Sequence, residues 1–279
     1  MCKLGFFKIV VQMIPYNKHF FFSLIFTALS ALSSMGQSME KINLVDENNK
    51  KQGTWISYHS NGNIRYKGKF KDDQPMDTMT RYYENGMKRS VMIYNENGRD
   101  VYAYIYHTNG FLASEGNYRD QMKEGKWKFF SSTIDGYMVT EEHYTENIRN
   151  GKSIKYFENG NIADITMYSF GIKEDKWLQY YSNGVPFLEA NYSNGKLDGK
   201  FETWFNNGNP KSVGLYKDNL REGKWLIYNE DGSLKYEANY VRGTPDNKQM
   251  IIDGSELIDK MELDGRYVDD PENGLPMFY

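Results

Sequence analysis

The segment Gly223-Lys224-Trp225-Leu226-Ile227-Tyr228-Asn229-Glu230-Asp231-Gly232 decides the fold, because its pattern returns along the chain. The segment from Gly53 to Gly62 repeats its glycine, tryptophan, tyrosine and closing glycine. Each copy ends in Asn-Gly or Asp-Gly, the strongest short-range signal of a tight β-hairpin, since both residues tolerate positive φ. The closing glycines recur every 24 residues, with one spacing of 26: Gly62, Gly86, Gly110, Gly136, Gly160, Gly184, Gly208 and Gly232. The sequence therefore predicts eight tandem hairpins.

The strand that follows each turn alternates between aromatic and polar residues. An aromatic residue stands eight positions after every closing glycine: Phe70, Tyr94, Tyr118, Tyr144, Tyr168, Tyr192, Tyr216 and Tyr240. Small residues such as Gly68, Ala190 and Gly214 often stand two positions earlier, on the same side of the strand. The strand before the turn is less regular, because Trp225 and Tyr228 are three residues apart. Either a bulge intervenes or both faces of this strand are partly covered.

These repeats predict an all-β fold, an extended single-layer antiparallel β-meander of tandem hairpins. Sixteen strands would occupy residues 51–242. Residues 37–50 and 243–279 are a cap or linker and a cap or tail, because the ends of a repeat array need covering. Repeats two, three and five are irregular, with Met79, Ala103 and Ser153 at the tryptophan position, and repeat four carries a two-residue insertion near 131–133.

The first 36 residues differ from the rest and resemble a secretory signal peptide. They hold three lysines and no acidic residue, then a 13-residue apolar run over 20–32, then small residues. Cleavage is expected between Gly36 and Gln37. An uncleaved membrane anchor is the alternative, but the run is shorter than the roughly 20 residues that span a bilayer. We therefore expect export to the periplasm, cell surface or exterior, and a mature chain without cysteine, since Cys2 is the only one.

Composition argues against several classes of function. The formal charge of −3 gives no electrostatic case for nucleic-acid binding. His59 and His107 occupy equivalent positions two repeats apart, about 19 Å from each other, and His143 lies on the other strand type. This spacing does not suit a shared metal site. Acidic residues near the turns lack the spacing of an EF-hand. We expect no enzyme activity, no catalytic residues, no metal and no cofactor.

The pattern resembles the MORN-repeat variant family. The resemblance rests on Gly125-Lys126-Trp127, Asp175-Lys176-Trp177 and Gly223-Lys224-Trp225, with links such as Asn194-Gly195-Lys196-Leu197-Asp198-Gly199. It covers roughly residues 51–242. The family includes bacterial proteins labelled as antitoxin components of toxin–antitoxin systems. The resemblance implies a scaffold or binding surface and supplies no catalytic residues.

The aromatic ladder is the candidate functional feature. Its rings either cover the sheet by stacking on neighbouring repeats or form an exposed platform for a partner. The candidate platform residues are Trp55, Trp127, Trp177, Trp204, Trp225, Tyr118, Tyr192, Tyr216 and Tyr240. A row of lysines at one repeat position either forms a solvated edge or meets anionic lipid or an acidic partner: Lys126, Lys152, Lys176, Lys200 and Lys224.

The leading hypothesis is an exported, non-enzymatic repeat scaffold that binds a protein or a cell-envelope polymer through its sheet surface. It predicts no nucleic-acid partner and no membrane span after signal cleavage. One alternative is an antitoxin-like or immunity-like partner of a toxin, as the family label suggests. A second is an envelope hydrolase whose site lies in residues 243–279.

Overall fold

The computed structural model describes residues 41–96 and 98–246. This part of the chain is built of strands and turns and contains no helix, so none in it is long and apolar enough to cross a membrane. The predicted signal peptide, residues 37–40 of the N-terminal cap and residues 247–279 of the C-terminal segment lie outside the described residues.

In residues 41–96 and 98–246, eighteen strands form one antiparallel sheet. They are β1 Leu44–Val45, β2 Lys51–Tyr58, β3 Ile64–Lys71, β4 Gln74–Tyr82, β5 Lys88–Tyr94, β6 Asp100–Tyr106, β7 Leu112–Arg119, β8 Met122–Phe130, β9 Met138–Thr145, β10 Ile148–Tyr156, β11 Ile162–Ser169, β12 Ile172–Tyr180, β13 Pro186–Ser193, β14 Lys196–Trp204, β15 Pro210–Lys217, β16 Leu220–Tyr228, β17 Leu234–Val241 and β18 Thr244–Pro245.

Each strand pairs antiparallel with the next one in sequence. β2 to β17 form eight successive hairpins, from the pair β2–β3 to the pair β16–β17. The two-residue strands β1 and β18 pair with β2 and β17 at the two ends. The predicted all-β meander of tandem hairpins is confirmed.

The Asn-Gly turns differ from the tight two-residue turns that the sequence predicts. In the first repeat His59–Asn63 separates β2 from β3, the His59 amide donates to the Asn63 carbonyl, and the Gly62 amide donates to the His59 carbonyl. Gly62 has a φ of 86°, whereas Asn61 stays outside the positive-φ region. The Asn61 side chain instead accepts the Asn63 amide at 3.0 Å. The asparagine therefore stabilises the turn through its side-chain acceptor and not by adopting positive φ.

The tight two-residue turns lie in the links between repeats. In each of them both residues have positive φ, the backbone of a type I′ turn. Seven links have this form: Asp72-Asp73, Asp120-Gln121, Glu146-Asn147, Phe170-Gly171, Asn194-Gly195, Asp218-Asn219 and Arg242-Gly243. Six of them carry neither Asn-Gly nor Asp-Gly. Four of these six hold a residue that disfavours positive φ, so local sequence does not reveal them: Gln121, Glu146, Phe170 and Arg242.

The turn asparagines also join neighbouring repeats. Asn61 Nδ2 donates to the Glu84 carbonyl at 2.7 Å, and Asn207 Nδ2 donates to the Glu230 carbonyl at 2.8 Å. Equivalent bonds start from Asn85, Asn109 and Asn159, and Asn183 Nδ2 donates instead to the side-chain Oδ1 of Asn206. Asp135 and Asp231 stand at the same position of repeats four and eight and lack the amide donor for this bond. One side chain thus shapes its own turn and fixes the next repeat.

The first strand of the repeat is regular, and the bulge lies on the second strand. Ile227 pairs with Tyr236 and Tyr228 pairs with Leu234, so the extra residue is Lys235 of β17. Trp225 and Tyr228 therefore lie on opposite faces of the sheet, and the second alternative holds, in which both faces are partly covered. We call these the tryptophan face, which bears Trp127, Trp177 and Trp225, and the lysine face, which bears Lys126, Lys176 and Lys224.

Candidate functional site

The predicted platform residues lie mostly within the core of the tryptophan face. Trp127 is 0% exposed, and Trp177 and Trp225 are each 1% exposed. Tyr192, Tyr216 and Tyr240 are also buried, whereas Trp55, Tyr118 and Trp204 are partly exposed. The binding role of the nine predicted platform residues stays a prediction. The accessible residues among them are Trp55, Tyr118 and Trp204.

The tryptophans are buried because each of two indoles lies flat on a glycine of the preceding strand. A Cβ added to Gly116 would stand 2.5 Å from Trp127 Cδ2, and one added to Gly214 would stand 2.2 Å from Trp225 Cδ2. Trp225 Nε1 then donates to the carbonyl of Leu215, the residue after that glycine, at 3.1 Å. A flat indole therefore requires glycine opposite it.

Cations cover the outer side of these rings. Lys123 Nζ lies 5.0 Å from the Trp127 ring centre, and the Arg221 guanidinium lies 4.6 Å from that of Trp225. Lys51 and Lys173 take the same place in repeats one and six. Burial lowers the pKa of Lys123, because the ammonium loses hydration where it lies against the outer side of the rings. The long side chains thus close the single-layer core against water.

Repeat five breaks this pattern. Ser153 stands at the tryptophan position and pairs with Glu142 on β9 and Thr166 on β11. Glu142 occupies the place that Gly116 holds beneath Trp127, so its side chain excludes a flat indole from position 153. The missing ring leaves a cavity of about 90 Å³. All eight residues that line it carry a polar group: Glu142, Arg149, Ser153, Lys155, Asp164, Thr166, Tyr168 and Lys173.

The buried carboxylate of Glu142 is held by its neighbours. Glu142 Oε1 lies 3.3 Å from Arg149 Nε, and Oε2 accepts a hydrogen bond from the Tyr144 hydroxyl. Burial raises the pKa of Tyr144 to about 12, and the bond to the carboxylate adds to that rise. Tyr144 therefore stays a proton donor to Glu142 throughout the neutral range.

Asp164 is held in the same way from the other side of the cavity. Its Oδ1 accepts from Thr166 Oγ1 at 2.8 Å. Its Oδ2 accepts from Trp177 Nε1 at 2.8 Å and from Gln179 Nε2 at 3.1 Å. Because Thr166 replaces the usual glycine beneath Trp177, this indole bonds to a side chain instead of a backbone carbonyl.

Two groups of the pocket have no partner among the described residues. Ser153 as a residue is 5% exposed, and its hydroxyl, which is open to the cavity, makes no hydrogen bond there. The Lys155 ammonium likewise makes no ion pair or hydrogen bond within the described part of the chain. The pocket therefore presents unused donors.

The lysine face carries a second, accessible aromatic row. The last residue of the first strand is aromatic in all eight repeats: Tyr58, Tyr82, Tyr106, Phe130, Tyr156, Tyr180, Trp204 and Tyr228. Every ring of this row is at least partly exposed, and Tyr58 is 54% exposed. The row widens in repeat three, where Tyr102 and Tyr104 precede Tyr106 on the same face and lie with ring centres 5.1 Å apart.

Ion pairs surround this row. Lys126 Nζ lies 2.8 Å from Glu141, Lys176 Nζ lies 2.8 Å from Glu189, and Lys224 Nζ lies 2.7 Å from Glu237. Lys200 pairs with Glu202. Four of the five lysines in the predicted row thus face a carboxylate, so the row is not a stripe of uncompensated positive charge.

His59 and His107 each contact a backbone carbonyl of the neighbouring repeat. His59 Nε2 lies 3.1 Å from the Tyr82 carbonyl, and His107 Nε2 lies 3.3 Å from the Phe130 carbonyl. Each bond reaches the following repeat. Within residues 41–96 and 98–246 no three His, Cys, Asp or Glu residues are placed to hold a metal ion.

Sequence reasoning missed both the pocket and the tyrosine patch. Ser153 was visible as an irregularity, and Glu142 in place of a small residue was the further signal. The alternation Val101-Tyr102-Ala103-Tyr104-Ile105-Tyr106 was the signal for the patch. Neither the pocket nor the tyrosine patch changes the length of its repeat, so the 24-residue spacing of the turns does not reveal them.

Comparison with known proteins identifies the repeat. No curated protein matches the chain. A solved structure titled "Crystal Structure of TcdB2-TccC3" is similar over 72% of this chain at 12% identity, with a TM-score of 0.21, and the match spans 12% of that chain. The MORN repeat variant matches residues 51–72, 149–169, 176–194, 197–218 and 221–242, which lie in repeats one and five to eight. Five of the eight hairpins thus carry the sequence of the MORN repeat variant.

Proposed function

We propose that the chain is an exported, non-enzymatic repeat scaffold that binds a protein partner through its lysine face. The accessible aromatic row from Tyr58 to Tyr228 is the observation that carries this proposal. Export is supported by the lysines and the apolar run of residues 1–36.

The chemistry of the lysine face suits a protein surface. Tyrosine and tryptophan are enriched at the energetic centres of interfaces, with charged residues around them. Here partly exposed rings alternate with Lys–Glu pairs such as Lys176–Glu189. A partner side chain can exchange with such a pair at small cost, because exposed ion pairs contribute at most about 1 kcal/mol.

The area is sufficient. Neighbouring strands lie about 4.8 Å apart, so three repeats extend about 29 Å across the strands, and an eight-residue strand is about 26 Å long. A face of this size is close to the roughly 800 Å² that each partner buries in a standard interface. Tyr102, Tyr104 and Tyr106 would lie near the centre of a face formed by repeats two to four.

The test compares the full chain with the double variant Y102A/Y104A. We expect the variant to lose at least tenfold in affinity for the captured partner, as loss of a central aromatic residue does. Phe170→Ala is the matched control, since it removes an exposed aromatic ring that lies in a turn and off the lysine face. Quantitative interaction mass spectrometry would identify the partner, and titration with the purified partner would give the affinities.

Both variants should keep the far-ultraviolet circular dichroism of the native sheet. Equal partner affinity for the native chain and for Y102A/Y104A would overturn the proposal. Loss of binding in F170A to the same degree as in the double variant would also count against it.

A further inference from the structure

We propose that the polar pocket of repeat five binds a small oxyanion, a carboxylate or phosphate group free in solution. The pocket lies on the tryptophan face and is separate from the surface proposed for the protein partner. It is formed where Ser153 and Glu142 replace the tryptophan and glycine of the regular repeat.

The first argument concerns the unused donors. Ser153 lines the cavity, and its hydroxyl has no hydrogen-bond partner among the described residues. No buried side-chain nitrogen or oxygen in that part of the chain lacks a partner, so this hydroxyl is open to the cavity and is free to donate to a ligand there. The Lys155 ammonium at the same cavity is also without a partner in the described part of the chain. Both groups can donate to an oxygen ligand.

The second argument concerns charge. Three cations line the cavity, Arg149, Lys155 and Lys173, against the two carboxylates of Glu142 and Asp164. Both carboxylates already accept hydrogen bonds from protein donors. Counted in full, three positive charges against two negative ones leave the lining with one formal positive charge, and this balance favours an anion over a cation.

The third argument concerns size and surroundings. About 90 Å³ accommodates several water molecules or one group of a few heavy atoms, and is too small for most drug-sized ligands. Three hydroxyl-bearing residues, Ser153, Thr166 and Tyr168, line the same space, and the Thr166 hydroxyl already donates to Asp164. A compact group with several acceptor oxygens matches this lining.

The experiment is a two-dimensional amide NMR titration of the full chain with sodium phosphate and, separately, with sodium acetate. Sodium chloride at equal ionic strength provides the baseline. We expect saturable shifts at amides around β10 and β11 with at least one of the two anions. Selective shifts with phosphate or with acetate would distinguish a phosphate site from a carboxylate site.

Variants locate the site. Lys155→Gln should weaken binding about tenfold or more, the effect of losing a charged hydrogen bond. Ser153→Ala should weaken it several-fold. Lys152→Gln is the matched control, because Lys152 is exposed on the same strand but points to the lysine face. The double variant E142G/S153W restores the glycine–tryptophan pair of repeat eight and should abolish binding by filling the cavity.

Three results would overturn the proposal. They are shifts no larger than those from chloride, an equal loss in K152Q and K155Q, or undiminished binding in a folded E142G/S153W chain. If the double variant fails to fold, the comparison of K155Q, S153A and K152Q decides by itself.

Discussion

Replacing Gly214 by alanine tests the rule that a flat indole needs glycine beneath it. The new Cβ would lie 2.2 Å from Trp225 Cδ2 and 2.3 Å from Cε2, both closer than atoms in contact allow. Trp225 is 1% exposed and packs edge-on against Tyr216 and Tyr240. The ring has no free space to move into, so the clash must displace either the ring or the strand.

The cost follows from the packing. Overfilling a close-packed core costs about 1–3 kcal/mol, and we expect Gly214→Ala to fall in the upper half of that range. The chain itself shows the compensation: Ala190 stands beneath Phe201, whose ring is smaller than an indole. Trp225→Phe alone should also destabilise, because it removes buried ring surface and the bond to Leu215. The two changes together should cost at least 1 kcal/mol less than their sum.

The assay is urea unfolding of the four chains of this double-mutant cycle, followed by circular dichroism. In a repeat array each hairpin contributes with its neighbours, so hydrogen exchange should show the loss concentrated in β14 to β17. A G214A chain as stable as the native chain would refute the steric rule. Strict additivity in the cycle would refute the compensation between residues 214 and 225.

Three further predictions concern turns and titration. Asn109→Asp removes the bond from Asn109 to the Ser132 carbonyl and should cost about 1 kcal/mol by urea unfolding. Asp231→Asn should be neutral, because Asp231 bonds only to Ser233 within the described residues; equal effects would contradict the cross-repeat role. Phe170→Gly should raise the melting temperature by relieving about 1 kcal/mol of strain, since Phe170 has a φ of 46° and a ring that is 69% exposed; a lower melting temperature would show that the ring contributes to packing. Because the pKa of Tyr144 is raised from 10 to about 12, its contribution to stability is complete below pH 10 and is lost as the pH rises through about 12. Tyr144→Phe should therefore flatten that part of the pH profile of stability, measured by urea unfolding. An unchanged profile would contradict the raised pKa of Tyr144.

The hairpin array could be predicted because its signals are local and repeated. Each closing glycine, from Gly62 to Gly232, adopts the positive φ that its position in the turn requires. The eight aromatic residues after the turns lie at equivalent places in the second strands because strand periodicity is two. Repetition turned weak individual signals into a reliable prediction of topology.

The turn types and the burial of individual rings could not be predicted in the same way. Phe170 and Arg242 adopt positive φ only because the register of the flanking strands demands it. The accessibility of Trp127 depends on Gly116 across the strand pair and on Lys123 above the ring. These are relations between strands, and the position of a residue within its own repeat does not express them.

The irregular repeats show which departures the fold itself requires. In repeat three Ala103 replaces tryptophan, Met92 stands opposite it, and the site is apolar and 0% exposed. Apolar side chains can therefore fill the space that a missing indole leaves. Repeat five instead places the buried carboxylate of Glu142 opposite Ser153, at the expense of desolvating charge. Since the sheet does not need this polarity, binding in the pocket is the simplest physical reason for it.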